Sequence, residues 1–358
     1  MVVRRTLISI AAAATTVASA AYAQSPPSAD EFFHGKTMTM IISTGVGGGY
    51  DLAGRLVSRH MTNHLAGAPT IVPKNMGGAG HVRAANFMAH QAPKDGTTLA
   101  TIGNTIALHQ VIDGQGVQYD AAKFNWIGSS QTSNINLYVW TKAGVRTLGD
   151  AEAREVILGA TGAGGGNVLY PALLNSFLGT KFRVISGYGT GSDLHIAMER
   201  GEIDGRAGNT FNSLSVSNPD WIKDKAVTFL VQFGLSPEKG FESVPNLVDL
   251  ARNGTERAIF RLASSPSALG WPVITAPGVP AERVAVLRRA FAATVSDPEF
   301  TAEAKKMRVD IIPAEGESLQ KVVEETVATP PTVVAAAKQA IEAKDVLKGS
   351  VGGSRGSE

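Results

Sequence analysis

Two short segments carry the residue types best able to do chemistry by themselves: Thr44-Gly45-Val46-Gly47-Gly48-Gly49-Tyr50 and Thr161-Gly162-Ala163-Gly164-Gly165-Gly166-Asn167. Both contain T-G-x-G-G-G, and they lie roughly a hundred residues apart. A glycine run lets backbone N–H groups turn toward one point with no Cβ in the way, and a helix starting directly after it adds partial positive charge. The chemistry this suits is capture of a small anion. A single such loop is read equally well as a tight strand-to-helix turn. Two in the same context favour paired cradles, one per lobe, facing across a cleft.

Other chemistries fail on spacing. A dinucleotide fingerprint needs a third glycine where Tyr50 and Asn167 stand, and Gly187-Tyr188-Gly189 has Ser192 in that place. Gly35-Lys36-Thr37 imitates the end of a phosphate loop, but Asp30 occupies the position of its first glycine and a strand pattern follows. No cofactor is expected. His60 and His64 lie four apart on one helix with no carboxylate in a ligand motif, so they are expected at the surface and no metal is expected. There is no G-x-S-x-G elbow, and Ser192, Asp193 and His195 are too close along the chain to form a triad. No catalytic residue is assigned and no enzyme is expected.

Further pocket candidates follow from strand ends. Asn104, just after a strand, is either a pocket donor or a helix cap. Tyr188 and Gly189 belong to a third polar glycine loop. Asp204 either orients backbone or water near the cleft or simply makes a turn. Asp51 and Arg55, four apart, form a helix-stabilising pair or touch the ligand.

The elements that must hold these residues alternate. Thr37–Ile42 reads as a strand, and Leu52, Leu56, Val57, Met61 and Leu65 recur at helical spacing after it. Strands are expected at 69–73, 98–102, 155–158, 182–185 and 227–231, with helices between, which implies largely parallel sheets. Residues 135–140 are read as the crossing into a second lobe, and the chain is expected to return near Ser264-Ser265-Pro266. Lobe one is thus expected to comprise 32–137 plus 264–345, lobe two 138–263, with a Gly/Ser-rich disordered tail at 346–358.

The N-terminus has the basic, apolar and A-x-A order of a secretory signal, with cleavage expected after Ala23. Arg4-Arg5 leaves general secretion and twin-arginine export both open. Removing residues 1–23 takes Lys+Arg from 33 to 31 against 31 Asp+Glu, so the mature chain is formally neutral. No basic field is present to attract nucleic acid or anionic membrane, and any anion selectivity must be local. There are no cysteines, which excludes thiol catalysis and Cys-based metal sites.

Taken in order, Gly47-Gly48-Gly49-Tyr50-Asp51, Val72-Pro73-Lys74-Asn75-Met76-Gly77-Gly78-Ala79-Gly80, Ala92 to Leu99, Gly162-Ala163-Gly164, Gly187-Tyr188-Gly189, Gly201-Glu202-Ile203-Asp204 and Pro277-Gly278-Val279-Pro280 resemble the substrate-binding proteins of tripartite tricarboxylate transporters, the Bug family. The resemblance covers nearly all of the mature chain. It implies a monomeric periplasmic receptor with two α/β lobes, mixed and mostly parallel sheets and a two-crossing hinge, which hands a small organic anion to membrane transporter subunits. It also implies that one carboxylate sits between Thr44–Tyr50 and Thr161–Asn167, supported near Tyr188. The chain departs from the family pattern at Val46, Tyr50, Gly165 and Gly189, so the ligand class stays open.

Overall fold

The computed structural model describes residues 28–47, 49–112, 114–160, 166–188, 191–342 and 347–350. Gly48, Thr161, Gly162, Gly164, Gly165, Gly189 and the expected export segment lie outside the described residues.

Strands and helices alternate as the glycine turns require. The chain runs β1 (Thr37–Ile42), α1 (Gly49–Met61), β2 (Thr70–Asn75), α2 (Val82–His90), β3 (Thr98–Thr101), α3 (Ile106–Ile112) and β4 (Asn125–Ser129). It then crosses to β5 (Ile135–Trp140), α4 (Leu148–Ala153), β6 (Val156–Ala160), α5 (Gly166–Leu178), β7 (Phe182–Ser186), α6 (Gly191–Glu199), β8 (Gly205–Thr210), α7 (Phe211–Ser217), α8 (Pro219–Lys223) and β9 (Val227–Phe233). The remainder comprises α9 (Gly254–Leu269), β10 (Pro272–Thr275), α10 (Ala281–Ser296), α11 (Pro298–Lys306), β11 (Ala314–Glu315), α12 (Gly316–Val327), α13 (Pro331–Glu342) and β12 (Leu347–Ser350). Local chemistry sets several starts. Asn253 caps α9 by accepting the Glu256 N–H at 2.9 Å, Asp297 caps α11 just before Pro298, and Thr147 with Asp150 forms a capping box on α4.

The strands form two six-stranded sheets, ordered β11-β4-β10-β3-β1-β2 and β12-β7-β6-β8-β5-β9. In the first, β1 runs parallel to β2 and β3, while β10 is antiparallel to both β3 and β4. In the second, β6 is parallel to β7 and β8, and β5 is antiparallel to β8 and β9. This is the two-lobed, mixed and mostly parallel α/β architecture expected from the sequence. One core, with Met38, Met40, Ile42, Trp126 and Phe291, packs around the first sheet. The second sheet buries Leu158, Leu173 and Phe260 in one cluster and Tyr138, Leu194 and Trp221 in another. Of the apolar residues expected to face inward from α1, Leu52 is 36% exposed, while Leu56, Val57 and Met61 are buried.

The return expected near Ser264–Pro266 falls within α9, which continues to Leu269: Phe260 and Ala263 are buried with the second sheet's core and Leu269 with the first's, and the helix ends at Gly270-Trp271 beside the outward crossing. There Trp271 donates its N–H to the Gln131 carbonyl at 2.9 Å, and a Cβ on Gly270, at φ +58, would stand 1.7 Å from that oxygen. The C-terminus then passes between lobes a third time. Val333, Ala337 and Ala340 of α13, expected with lobe one, are buried in the second sheet's core, and β12, expected inside a disordered tail, pairs in parallel with β7. The apolar stripe of α13 finds its cover against α5 and α9, which draws the tail to that sheet's edge.

Candidate functional site

In lobe one the first loop leaves β1 and enters α1. Gly47 has φ +91, a conformation that favours glycine, whereas Gly45 has open space and no such backbone demand. Val46 is 80% exposed at the tip. Gly49 lets α1 start directly on the Trp271 indole, which an added Cβ would approach to 2.6 Å. The loop is less open to an anion than its composition suggests. The Gly47 N–H is taken by Asp51 Oδ2 at 3.0 Å, and Asp51 Oδ1 receives Arg55 Nε at 2.9 Å and Asn75 Nδ2 at 2.8 Å. Burial alone would raise the Asp51 carboxyl, but these donors outweigh it and hold the group below the usual carboxylate range. Asp51 and Arg55 therefore make the helix-stabilising pair that spacing allowed, with Asn75 tying it to the Thr44 carbonyl at 3.0 Å.

Tyr50 and Asn104 are brought together, though as a tie to the crossover. The Asn104 N–H donates to the Tyr50 hydroxyl at 3.0 Å, that hydroxyl donates to the Gly270 carbonyl at 3.4 Å, and Asn104 Nδ2 donates to the Pro266 carbonyl at 2.9 Å. Burial pushes the Tyr50 hydroxyl up to about 12 against the opposing Asn104 hydrogen bond. His81, which sequence reasoning passed over, completes this end. It adopts φ 78, places Nδ1 2.9 Å from Ser43 Oγ and lies 5.1 Å from the Tyr50 ring between centroids. Burial holds its imidazole below the ordinary histidine value, with Ser43 opposing.

In lobe two, Gly166 and Asn167 open α5, and Asn167 Nδ2 donates to the Ala207 carbonyl of β8 at 2.6 Å. Tyr188 lies alongside Gly159, its ring edge 3.5 Å from where a Cβ would stand. Asp204 is elsewhere. Its carboxylate accepts the Ile157 N–H at 2.8 Å near the start of β6, the opposite end from the loop, so it is a stitch between strands and not a pocket group. A polar cluster unread in the sequence lies under α6: Tyr138 Oη is 3.0 Å from His195 Nε2, Asn209 Nδ2 donates to Tyr138 Oη at 3.1 Å, and Arg206 donates to the Gly191 carbonyl at 3.2 Å. The only sequence signal for it is a lone arginine inside the otherwise small and uncharged strand Gly205–Thr210.

Among the described residues no cluster suits a metal ion. His60 and His64 are not free on the surface: His60 of α1 meets Glu303 of α11 at 2.7 Å, and His64, in the turn after α1, meets Asp297, the cap of α11, at 2.9 Å. A cavity of about 420 Å³ opens elsewhere, lined by Ser215 and Pro219 from one lobe and Lys305, Arg308 and Asp310 from the other. None of the glycine-loop candidates lines it.

The fold is that of two-lobed solute-binding proteins. A TctC solute-binding protein from Polaromonas superposes with TM-score 0.65 at 20% identity, over 86% of this chain and 98% of its own. A protein of R. palustris with adipate follows at 0.60 and 19%, over 85% and 97%. MatC from Rhodopseudomonas palustris with bound malate gives 0.58 and 17%, over 86% and 99%. No protein-family model and no curated relative matches the sequence. No helix among the described residues is long and apolar enough to cross a membrane.

Proposed function

We propose that this protein is a receptor of the tripartite tricarboxylate transporter (Bug) type, which captures a small carboxylate or related anion between its lobes. The observation that carries this reading is the placement of α1 and α5. Each follows the C-terminal end of an interior strand of its own sheet, in a fold whose solved neighbours hold adipate and malate. Lobe closure about the 129–135 and 269–272 crossovers would be the signal read by membrane transporter subunits. The chain acts as a monomer in the periplasm after cleavage behind Ala23, and it binds its ligand without converting it.

The test is a thermal-shift series on the mature chain with malate, adipate, succinate and pyruvate. A ligand at a hundred times its Kd stabilises by about 2.7 kcal/mol, which for a chain of this length raises Tm by about 3–4 °C. The absence of any shift across the series removes the receptor reading. Appearance of a product by mass spectrometry after long incubation would replace it with an enzyme.

A further inference from the structure

Among the described residues, Arg206 is a buried cation without an acidic partner. It is 7% exposed, its Nε has no hydrogen-bond partner, and its neighbours are neutral: the Gly191 carbonyl at 3.2 Å, His195 Nε2 at 3.5 Å and the Tyr138 phenol. A charge removed from water is costly unless a counter-charge meets it, and proteins normally supply a carboxylate. Elsewhere this chain does so, as with Asp51 and Arg55.

The position of Arg206 points to what supplies the charge. It pairs with Gly159, one residue before the end of β6, and shares that residue's face, so its head reaches the first residue of the nine-residue helix α6. On the opposite face of β8, at Ala207, stands the N-terminus of α5. The N-terminus of α6 and the guanidinium therefore meet on one face of β8, and the N-terminus of α5 stands on the other. Asp193, in the first turn of α6, is the acidic residue on that side. In lobe one, by contrast, Asp51 already occupies the Gly47 N–H and neutralises Arg55.

We propose that Arg206 is the charge anchor of the second lobe and takes the ligand's carboxylate at the N-terminus of α6. This rests on the receptor reading above and deepens it: the acidic end of the ligand belongs to lobe two, and lobe one closes over the rest. A guanidinium can meet a carboxylate through two parallel N–H donors, which fixes orientation as well as charge.

The test uses the mature chain and Arg206→Met, which removes the charge and keeps most of the volume, with Arg206→Lys beside it. Isothermal titration with malate, adipate, succinate and pyruvate is expected to show at least a tenfold loss of affinity in Arg206→Met and an intermediate loss in Arg206→Lys. The ligand-free Tm of Arg206→Met is expected to be unchanged or higher. His195 gives a second readout by NMR. Burial and then the Arg206 charge hold its imidazole down to about 4, so an anion on Arg206 should raise that value. Binding within twofold of wild type in Arg206→Met overturns the anchor and leaves the receptor reading standing. If wild type binds none of the four probes, both fall. Should Arg206→Met fail to fold, an unmoved His195 titration on saturating the wild type overturns the proposal.

Discussion

Replacing Tyr50 by phenylalanine isolates the tie between the first loop and the crossover. The change removes one hydroxyl and keeps the ring against His81 and Trp271. What is lost is the acceptor for the Asn104 N–H at 3.0 Å and a weak donor to the Gly270 carbonyl at 3.4 Å. A donor left without a partner in a partly buried place costs about 1–2 kcal/mol. Spread over the unfolding entropy of a chain this long, that lowers Tm by about 2 °C. The pH dependence is more telling. The hydroxyl is raised to about 12 in the folded state, so the folded protein holds this proton more tightly than the unfolded chain does. Its contribution is fully present below pH 10 and is lost as pH rises through about 12. The shift of about two units corresponds to about 2.7 kcal/mol. The deficit of Tyr50→Phe should therefore shrink as pH rises above 10 and change sign near the top of the window. Other buried tyrosines are common to both proteins and cancel in the difference. Urea unfolding of both proteins at pH 8, 10 and 11 measures it. A deficit that is constant across that range, or absent at pH 8, refutes the assignment of the tie.

Three further outcomes follow from the same geometry. Asp51→Asn, which removes the charge that Arg55 and the Gly47 N–H meet, should cost about 1–2 kcal/mol at pH 7. Because the folded carboxyl lies below its unfolded value, that cost should fade as pH drops below about 4, as urea melts at pH 7 and pH 3 would show. Gly270→Ala puts a Cβ 1.7 Å from the Gln131 carbonyl at a positive φ and should destabilise by more than about 3 kcal/mol or prevent folding, whereas Gly45→Ala, with open space, should stay within about 0.5 kcal/mol. Circular-dichroism melts of the two alanine variants make the comparison, and equal melting points would show that the crossover does not require glycine.

The sequence alone determined the features that depend on neighbours along the chain. The strand before each glycine loop, the helix after it and the two-sheet alternation are written in short-range patterning, and so is the Asp51–Arg55 pair, because a helix places residues four apart on one side. Tertiary structure alone decided which loop donors are free. Asp51 turning back to Gly47 is a local event, but the carboxylate is also held by Asn75, twenty-four residues away. The Tyr50 tie joins positions 50, 104 and 270, and Asp204 moves out of the pocket because it meets Ile157 across a strand pair. The C-terminal segment left its expected lobe because its stripe of Val333, Ala337 and Ala340 fits a surface made by α5 and α9, a partner that lies far away in the chain. Arg206 is the clearest case. In sequence it is one of 33 basic residues in a nearly neutral chain, and only the pairing of β8 with β6 and the packing of α6 leave it buried with no carboxylate to meet among the described residues. The two glycine loops mark where the sequence predicts an anion to bind. The charge that would hold it depends on contacts between residues far apart in the chain, and no local pattern encodes those.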